Sequence, residues 1–398
     1  MTKTVSPARR ARAAVLILLG AALWLGAASS FAGEDTVADP PFTPMSPSIM
    51  AQGGSSIATV RGYDALFSNP AGFAGNDASL TLLSANPWVY ANPARAIPPL
   101  IDDWGNALDV ISEEIVTGGF GVGASSGIAY VGKGLGLGVS LIVDSYLYGD
   151  NLLGASGYAH ATVAFIGGYA ASFDLLGMQC HVGAALRPMF RIHAPLSNQD
   201  LLEYINLFTD AEDMFAALSE VDVLHGIGLG VDAGAVVDLG NLKLAVAARD
   251  IGGTKFVYNA SEMGDVLQSF EQGFPKGTPV EGAVSAIPMN LSVGAALDPD
   301  SGFLTQILDP VFHVELRDLL GVIHEKKSPW TLLHIGAQLR VFSLISLRAG
   351  LYQGYLTMGA GLNLGIAEVN AAVFCREMGR HLMDRPNAGM TAEVALRF

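Results

Sequence analysis

The nine C-terminal residues decide the fold of this chain: Met390-Thr391-Ala392-Glu393-Val394-Ala395-Leu396-Arg397-Phe398. Every second side chain is apolar, and the positions between carry Thr391, Glu393 and Arg397, with only the small Ala395 among them. Because successive side chains of a strand point to opposite faces, this alternation separates an apolar face from a charged face. An apolar outer face, a polar inner face and a terminal aromatic residue are typical of the closing strand of an outer-membrane β-barrel.

Residues 1–32 have the pattern of a secretory signal peptide. An apolar core runs from Ala13 to about Ala28, and Ser30-Phe31-Ala32 is a small-x-small site before Gly33. The leader begins with a basic region made of Lys3, Arg9, Arg10 and Arg12. The core is short for a span of about 20 residues, so an uncleaved anchor is the lesser alternative. We expect cleavage near Ala32.

Composition favours a barrel over a helical membrane protein or a soluble protein. The chain is 51% hydrophobic but only 15% charged, against about 25% charged in ordinary soluble proteins. After the leader no apolar run reaches the 18 residues of a membrane helix. Without the leader's four basic residues, 18 basic and 37 acidic residues leave a formal net charge of −19. This charge argues against nucleic acid and anionic membrane surfaces as partners. The lipid bilayer is the partner that the barrel pattern predicts.

Alternation predicts an all-β chain, a fourteen-stranded antiparallel transmembrane β-barrel over residues 78–398. We expect strands near 78–86, 119–131, 134–148, 157–173, 177–194, 223–238, 241–251, 286–297, 309–319, 330–342, 344–353, 355–366, 367–378 and 389–398. Most connections after even-numbered strands are tight turns, and the long ones follow odd-numbered strands. Short turns on one rim and long loops on the other are typical of the periplasmic and extracellular ends of such barrels. The predicted location is the outer membrane of a diderm bacterium.

Two of the long loops, 87–118 and 195–222, have partly helical patterns, near 98–116 and 201–218. The second exposes large apolar side chains that would suit an entry groove for lipophilic molecules, although packing onto a neighbouring loop is the alternative. These entry-loop candidates are Leu201, Leu202, Ile205, Phe208 and Phe215. The loop 252–285 is predicted to be irregular, with no helical signal over 259–282.

The N-terminal segment 33–77 is predicted to fold into the barrel lumen as a hatch, since it is too small for a domain and too apolar for a free tail. It contains Asp64-Ala65-Leu66-Phe67 and then Asn69-Pro70-Ala71-Gly72-Phe73-Ala74. These residues resemble the hatch motif of the FadL-type outer-membrane transporters of long-chain fatty acids and other hydrophobic compounds.

The resemblance implies passive uptake of fatty-acid-like molecules, captured at the loops 195–222 and 252–285 and held above the hatch. It also implies recognition of the last strand by the outer-membrane assembly machinery. Related barrels that serve secretion or surface attachment share the motif. A non-transporting barrel, acting as a secretion-associated partner or an adhesin, is therefore the alternative function.

Ligand-binding candidates come from the hatch and from lumen-facing cations. Arginine would hold an anionic head group and the hatch would hold the apolar tail. The candidates are Phe67, Asn69, Pro70, Ala71, Gly72, Phe73, Arg187, Arg249 and Arg348. A ladder of ion pairs that stiffens the barrel is the alternative role for the arginines. The histidines lack metal-ligand spacing and no Gly-x-Ser-x-Gly motif occurs, so we expect no enzyme, no metal and no cofactor.

Overall fold

The computed structural model describes residues 37–38, 41–93, 119–149, 156–196, 216, 219–269, 277–299, 302, 307–324 and 326–398. Seventeen strand segments form one sheet. One of them is the two-residue Val37–Ala38, and two barrel strands are each broken into two segments, so fourteen strands form the wall. They are β1 (Ser79–Ala91), β2 (Phe120–Gly132), β3 (Leu135–Tyr148), β4 (Ser156–Leu175), β5 (Met178–Leu196), β6 (Asp222–Asp238), β7 (Leu242–Arg249 and Thr254–Glu262), β8 (Thr278–Ile287 and Asn290–Leu297), β9 (Leu308–Leu316), β10 (Leu333–Val341), β11 (Ile345–Tyr352), β12 (Tyr355–Asn363), β13 (Ala367–Glu377) and β14 (Pro386–Arg397).

The wall closes on itself because β14 pairs antiparallel with β1. Phe398 completes the closure, since its backbone exchanges hydrogen bonds of 2.8 and 2.9 Å with Leu80. Pro87 in β1 has no N–H to donate, and the side-chain amide of Asn86 instead donates to the carbonyl of Ala392 at 2.7 Å. The predicted fourteen-stranded antiparallel barrel is confirmed.

The two faces of the C-terminal strand differ in exposure as its alternation predicts. Met390 and Val394 are 60% and 52% exposed on the outer face. Thr391 and Glu393 face the lumen and are buried. The wall therefore has an apolar outer surface and a polar inner surface.

Tight turns join the strands at one rim, which we call the turn rim. Lys133, Leu176, Phe342 and Ser343 have φ between +50° and +56° there. Positive φ at the central residues is the geometry of two-residue hairpins that match the twist of a sheet. The opposite rim carries the long connections, and we call it the loop rim.

The predicted bounds of the irregular loop 252–285 are wrong. β7 continues through Thr254–Glu262 and β8 begins at Thr278, so the connection is only 263–277. It contains the helix α2 (Met263–Ser269), where no helix was expected. The pattern was misleading because Gly252-Gly253 suggests a loop and because Phe256 and Tyr258 are aromatic residues that face the lumen.

The strands β7 and β8 break at the same height in the wall. In β7 the backbone turns at Asp250, Gly252 and Gly253, all with φ between +53° and +81°. In β8 Pro288 lies between the two segments. Above the break, the free edge of β8 pairs in parallel with Val37–Ala38, so the N-terminal chain reaches the lumen beside this edge.

The wall is tall on one side and low on the other. β4 and β5 have 20 and 19 residues, whereas β9 to β12 have only 8 or 9 each. The long strands project beyond the short ones at the loop rim, since the turns of the opposite rim are short.

Few helices accompany the barrel. Besides α2 they are α1 (Pro47–Met50), α3 (Leu319–His324) and 3-10 helices at Gly62–Phe67, Pro70–Ala74 and Pro329–Leu332. Across the described parts of the chain, no helix is both long and apolar enough to cross a membrane. The signal peptide 1–32 and the loop helices predicted near 98–116 and 201–218 lie outside the described residues.

The assignment of alternate side chains to the lipid face and the lumen face yields the first prediction. Ala337→Glu should impair assembly of the barrel, because its side chain faces lipid, where an acidic side chain is destabilising, by less than the roughly 2–4 kcal/mol of a basic one near the bilayer midplane. Gln338→Glu, one residue on, should assemble, because the side chain of Gln338 contacts Arg348 Nε at 2.8 Å. Heat-modifiable gel mobility of membrane fractions measures both. Equal damage at the two positions would contradict this register.

Candidate binding site in the barrel lumen

Residues 41–77, which we call the lumen segment, pack inside the barrel on lumen-facing side chains. The hydroxyl of Thr391 in β14 donates to the carbonyl of Met45 at 2.7 Å. The Glu315 carboxylate in β9 accepts the backbone N–H groups of Ser56 and Ile57 at 2.8 and 3.2 Å. Contacts with strands on several sides fix the segment across the lumen.

The sequence Asn69-Pro70-Ala71-Gly72 forms the bend of the lumen segment. Asn69 is extended, and its side-chain oxygen accepts the N–H of Ala71 at 3.0 Å as the cap of the 3-10 helix that Pro70 begins. Its amide nitrogen donates to the carbonyl of Ile57 at 2.9 Å. This fully buried side chain therefore ties two turns of the segment together.

Glycines in the wall make room for this bend. A Cβ on Gly136 or Gly168 would lie 2.7 Å from the ring of Phe73. A Cβ on Gly183 would lie 2.5 Å from the carbonyl carbon of Pro70. Such distances are closer than van der Waals contact, so β3, β4 and β5 admit the segment only because these positions lack side chains.

A cavity of about 260 Å³ lies on the loop-rim side of the segment. The lumen segment supplies most of its apolar surface. These lining residues are Phe42, Met45, Ile49, Met50, Ile57 and Phe67. The wall supplies charged side chains, namely Asp144, Arg191, Arg249, Asp250, Arg317 and Arg376. The cavity thus joins an apolar floor to a predominantly cationic wall.

Three of the four cavity arginines are engaged by protein groups. Arg249 donates to Thr43 Oγ1 at 2.7 Å, to the carbonyl of Phe42 at 3.0 Å and to the carbonyl of Phe67. Arg317 pairs with Glu315 at 2.6 Å. Arg191 lies over the ring of Phe256, at 4.2 Å from its centroid, and donates to Thr162.

Arg376 differs from the other three. It lies over the ring of Tyr90 at 4.5 Å. Its Nε is buried without a hydrogen-bond partner, as is the Nε of Arg249, but unlike Arg249 and Arg317 it has no ion pair within the residues that the structure describes. A half-buried guanidinium that keeps an unused donor is suited to a planar anion such as a carboxylate.

Only some of the ligand-binding residues predicted from the sequence line the cavity. Phe67 and Arg249 line the cavity, whereas Asn69, Pro70 and Phe73 do not. Ala71 and Gly72 line a second, polar pocket of about 170 Å³ on the turn-rim side of the segment. Their role in ligand binding stays a prediction. The entry-loop candidates Leu201, Leu202, Ile205, Phe208 and Phe215 lie outside the described residues.

Arg187 and Arg348 lie away from the cavity. Arg187 is completely buried and pairs with Asp232 at 2.7 Å and Asp250 at 2.8 Å. Asp232 also accepts the backbone N–H of Asp250 at 2.9 Å, so this cluster fixes the break in β7. Arg348 donates to Gln338 and to Asn370 at 2.8 and 2.9 Å. The geometry gives both arginines a structural role.

Sequence reasoning missed several lining residues. The alternation of the strands also places Arg191 and Arg376 on the lumen face, but it does not distinguish them from the other lumen-facing arginines. Phe42 and Met45 precede the recognised motif and carry no motif of their own. For Arg376 the useful signal was its place near the loop-rim end of β13, where a cavity above the segment must lie.

An apolar layer separates the cavity from the polar pocket. Ile57 lines the cavity, and the next residue, Ala58, lines the pocket. They pack with Ala71 against small side chains of the wall, which are Val236, Ala245, Ala247 and Ala296. The bulkiest side chain in this layer is Ile57, so a path between the two spaces would pass beside it.

The charge cluster at the β7 break yields the second prediction. Asp232→Asn should lower the free energy of unfolding by about 3–5 kcal/mol, because it leaves Arg187 buried with one carboxylate fewer. Asp309→Asn is the matched control. Its pair with Arg340 is half-exposed and should contribute less than about 1 kcal/mol. Urea unfolding in lipid vesicles, followed by tryptophan fluorescence, measures both, and similar losses would contradict the assignment.

No family model matches this chain, and no curated protein matches it. Among solved structures, the chain is similar to the Pseudomonas putida toluene transporter TodX, with 13% identity, a TM-score of 0.48, and coverage of 91% of this chain and 99% of that one. It is similar to the Ralstonia pickettii toluene transporter TbuX, with 13% identity, a TM-score of 0.47 and coverage of 89% and 98%. It is also similar to a Pseudomonas aeruginosa FadL homologue, with 13% identity, a TM-score of 0.47 and coverage of 90% and 98%.

Proposed function

We propose that this protein is an outer-membrane barrel for passive uptake of hydrophobic small molecules that carry an anionic head group, such as fatty acids. The loop rim faces the outside and the turn rim faces the periplasm, following the usual asymmetry of such barrels. The observation that carries the proposal is the lumen cavity, in which an apolar floor lies opposite the unpaired guanidinium of Arg376.

The cavity has the chemistry of a site for amphipathic anions. Burial of an acyl chain against Phe42, Met45 and Phe67 contributes about 0.8 kcal/mol per methylene group. A carboxylate at Arg376 would supply the acceptor that its Nε lacks. The two contributions select for molecules with an apolar tail and one anionic end.

Release toward the periplasm would require a local shift of the lumen segment. The apolar layer around Ile57 is all that separates the cavity from the polar pocket on this path. Ile57 is held in place by its own N–H, which donates to the Glu315 carboxylate, and by its carbonyl, which accepts from the Asn69 side-chain amide. A shift that broke these few bonds would join the two spaces and leave the barrel wall intact. The proposed role is binding and passage, and it assigns no reaction to the protein.

The head-group assignment yields the third prediction. Arg376→Met should weaken binding of ω-bromoundecanoate roughly tenfold or more, the loss expected for a hydrogen bond to a charged group. Binding of ω-bromoundecanol should change little, because it has no anionic end. Quenching of tryptophan fluorescence by the bromine reports binding, since Trp88 lines the cavity.

Arg348→Met is the matched control, because it removes a lumen arginine that lies outside the cavity. It should leave the affinity for both compounds unchanged. Equal losses for acid and alcohol in Arg376→Met, or the same loss in Arg348→Met, would contradict a head-group site at Arg376.

The fourth prediction concerns removal of residues 46–74. The truncated chain should still form a barrel, because the strands satisfy one another's backbone hydrogen bonds. It should also leak small polar solutes and lose selective uptake of lipophilic ones, since the lumen loses its filling. Liposome swelling and uptake assays measure this. A barrel with no new leak and unchanged uptake would favour the alternative of a secretion-associated or adhesive barrel.

A further inference from the structure

The low side of the barrel barely reaches across a membrane. β11 has 8 residues, which at about 3.4 Å per residue and a tilt of about 40° give a height of about 20 Å. The apolar band of such barrels is about 25 Å tall. The connections that follow β9, β11 and β13 at the loop rim therefore start at the level of the outer leaflet. We call residues 317–324, 326–332, 353–354 and 378–385 the low rim.

Large apolar side chains stand exposed at both ends of this side. On the low rim they are Ile323 (71%), Trp330 (65%), Leu382 (41%) and Met383 (72%). On the turn rim they are Phe342 (70%), Leu364 (59%) and Ile366 (54%). They continue the exposed apolar surface of the wall between them, to which Phe312, Leu356 and Met358 belong. An apolar surface that extends past both ends of the strands indicates that this whole side is covered by lipid.

Hydrogen bonds hold the low rim in shape. The N–H of Ser328 donates to the carbonyl of Arg380 at 2.9 Å and so joins the two loops. The N–H of Met383 donates to Tyr355 Oη at 3.0 Å and to the carboxylate of Glu377 at 2.8 Å. The N–H of His381 donates to Asp384 at 2.8 Å and lowers the pKa of that carboxyl. Exposure of these side chains is therefore a property of an ordered surface.

Basic residues lie among the exposed apolar side chains of the low rim. Lys326 and Arg380 are exposed, and Lys327 pairs with Asp318 at 2.8 Å. The low rim thus brings basic residues to head-group height in a chain whose formal net charge is −15. Basic and aromatic or aliphatic residues together are the composition of surfaces that bind anionic lipid interfaces.

We propose that the low rim is a lipid-binding surface that lies within the outer leaflet. Its exposed apolar side chains contact acyl chains, and Lys326 and Arg380 contact the phosphates of the head groups. The occupant is the leaflet itself, because the surface is continuous with the lipid-facing wall.

The position of the cavity gives this surface a further consequence, which rests on the proposed function. Arg317, Tyr352, Arg376 and Met378 line the cavity and lie where β9, β11 and β13 end at the low rim. This side of the cavity is therefore level with the leaflet. Hydrophobic molecules dissolved among the lipids would reach the head-group site at Arg376 over the low rim, without first entering water.

Depth measurements test the lipid contact. Single cysteines at Ile323, Trp330 and Met383, in a chain with Cys180→Ala and Cys375→Ala, would carry an environment-sensitive fluorophore. The full chain is reconstituted in phosphatidylcholine vesicles that contain a tenth of phosphatidylglycerol, with doxyl-labelled lipid as quencher. All three labels should be quenched to within about twofold of a label at Leu362, which lies on the lipid-facing wall.

Leu267 provides the matched control, because it is also apolar and 45% exposed but lies on α2 at the tall side of the loop rim. A label there should escape quenching. If the three low-rim labels behave like the label at Leu267, the proposal is overturned. Heat-modifiable mobility of each labelled chain shows that the barrel is folded. Because three positions are labelled, the test stands even if one variant does not fold.

A second experiment tests loading from the leaflet. The variant Trp330→Ser with Met383→Ser should take up membrane-dissolved ω-bromoundecanoate severalfold more slowly, with unchanged affinity for it in detergent. Leu267→Ser should leave both unchanged. An unaltered rate in the low-rim variant would overturn loading over the low rim. Absence of binding by the native protein in detergent would instead refute the proposed function, while the depth measurement would still decide the lipid contact.

Discussion

Closure of the backbone hydrogen bonds is the constraint on which the rest of this structure depends. A strand that crosses lipid has no water to bond with, so every edge must be paired. The chain meets this demand by returning β14 to β1 and by pairing Phe398 with Leu80. Even at Pro87, where a donor is missing, the side chain of Asn86 replaces it. The wall encloses the cavity and the lumen segment, except above the break in β8, where only Val37–Ala38 pairs with the free edge of that strand.

Within that wall, charge has two distinct roles. Arg187, Asp232 and Asp250 are buried together and fix the break in β7, where regular pairing is lost. Arg376 is half-buried, lies over the ring of Tyr90 and keeps an unused donor. The same residue type thus stabilises the fold in one place and keeps an unpaired donor in another. The partners of each arginine distinguish these two roles. The face of the strand on which the arginine lies does not.

The sequence predicted the wall well because lipid imposes a strict rule on each strand. Alternation such as that of residues 390–398 is required wherever one face meets lipid and the other the lumen, so strand number and register follow from it. The rule fails where aromatic residues face inward, and there Phe256 and Tyr258 concealed the continuation of β7. The cavity was harder to predict because its lining combines distant segments. No local pattern shows that Phe42 and Arg376 line the same space, nor that Arg187 is already paired.

The difference in height between the two sides has a consequence for the surrounding bilayer. β11 spans about 5 Å less than the apolar band that such barrels usually present. This is hydrophobic mismatch confined to one sector of the circumference. The exposed apolar side chains of the low rim extend the short wall and offset part of this difference. Thinning of the bilayer beside β9 to β12 or a tilt of the barrel axis accommodates what remains, each at a cost of a fraction of a kcal/mol per Å. Either response disorders lipid packing on the low side only, so the protein gives its surrounding membrane a defined weak sector.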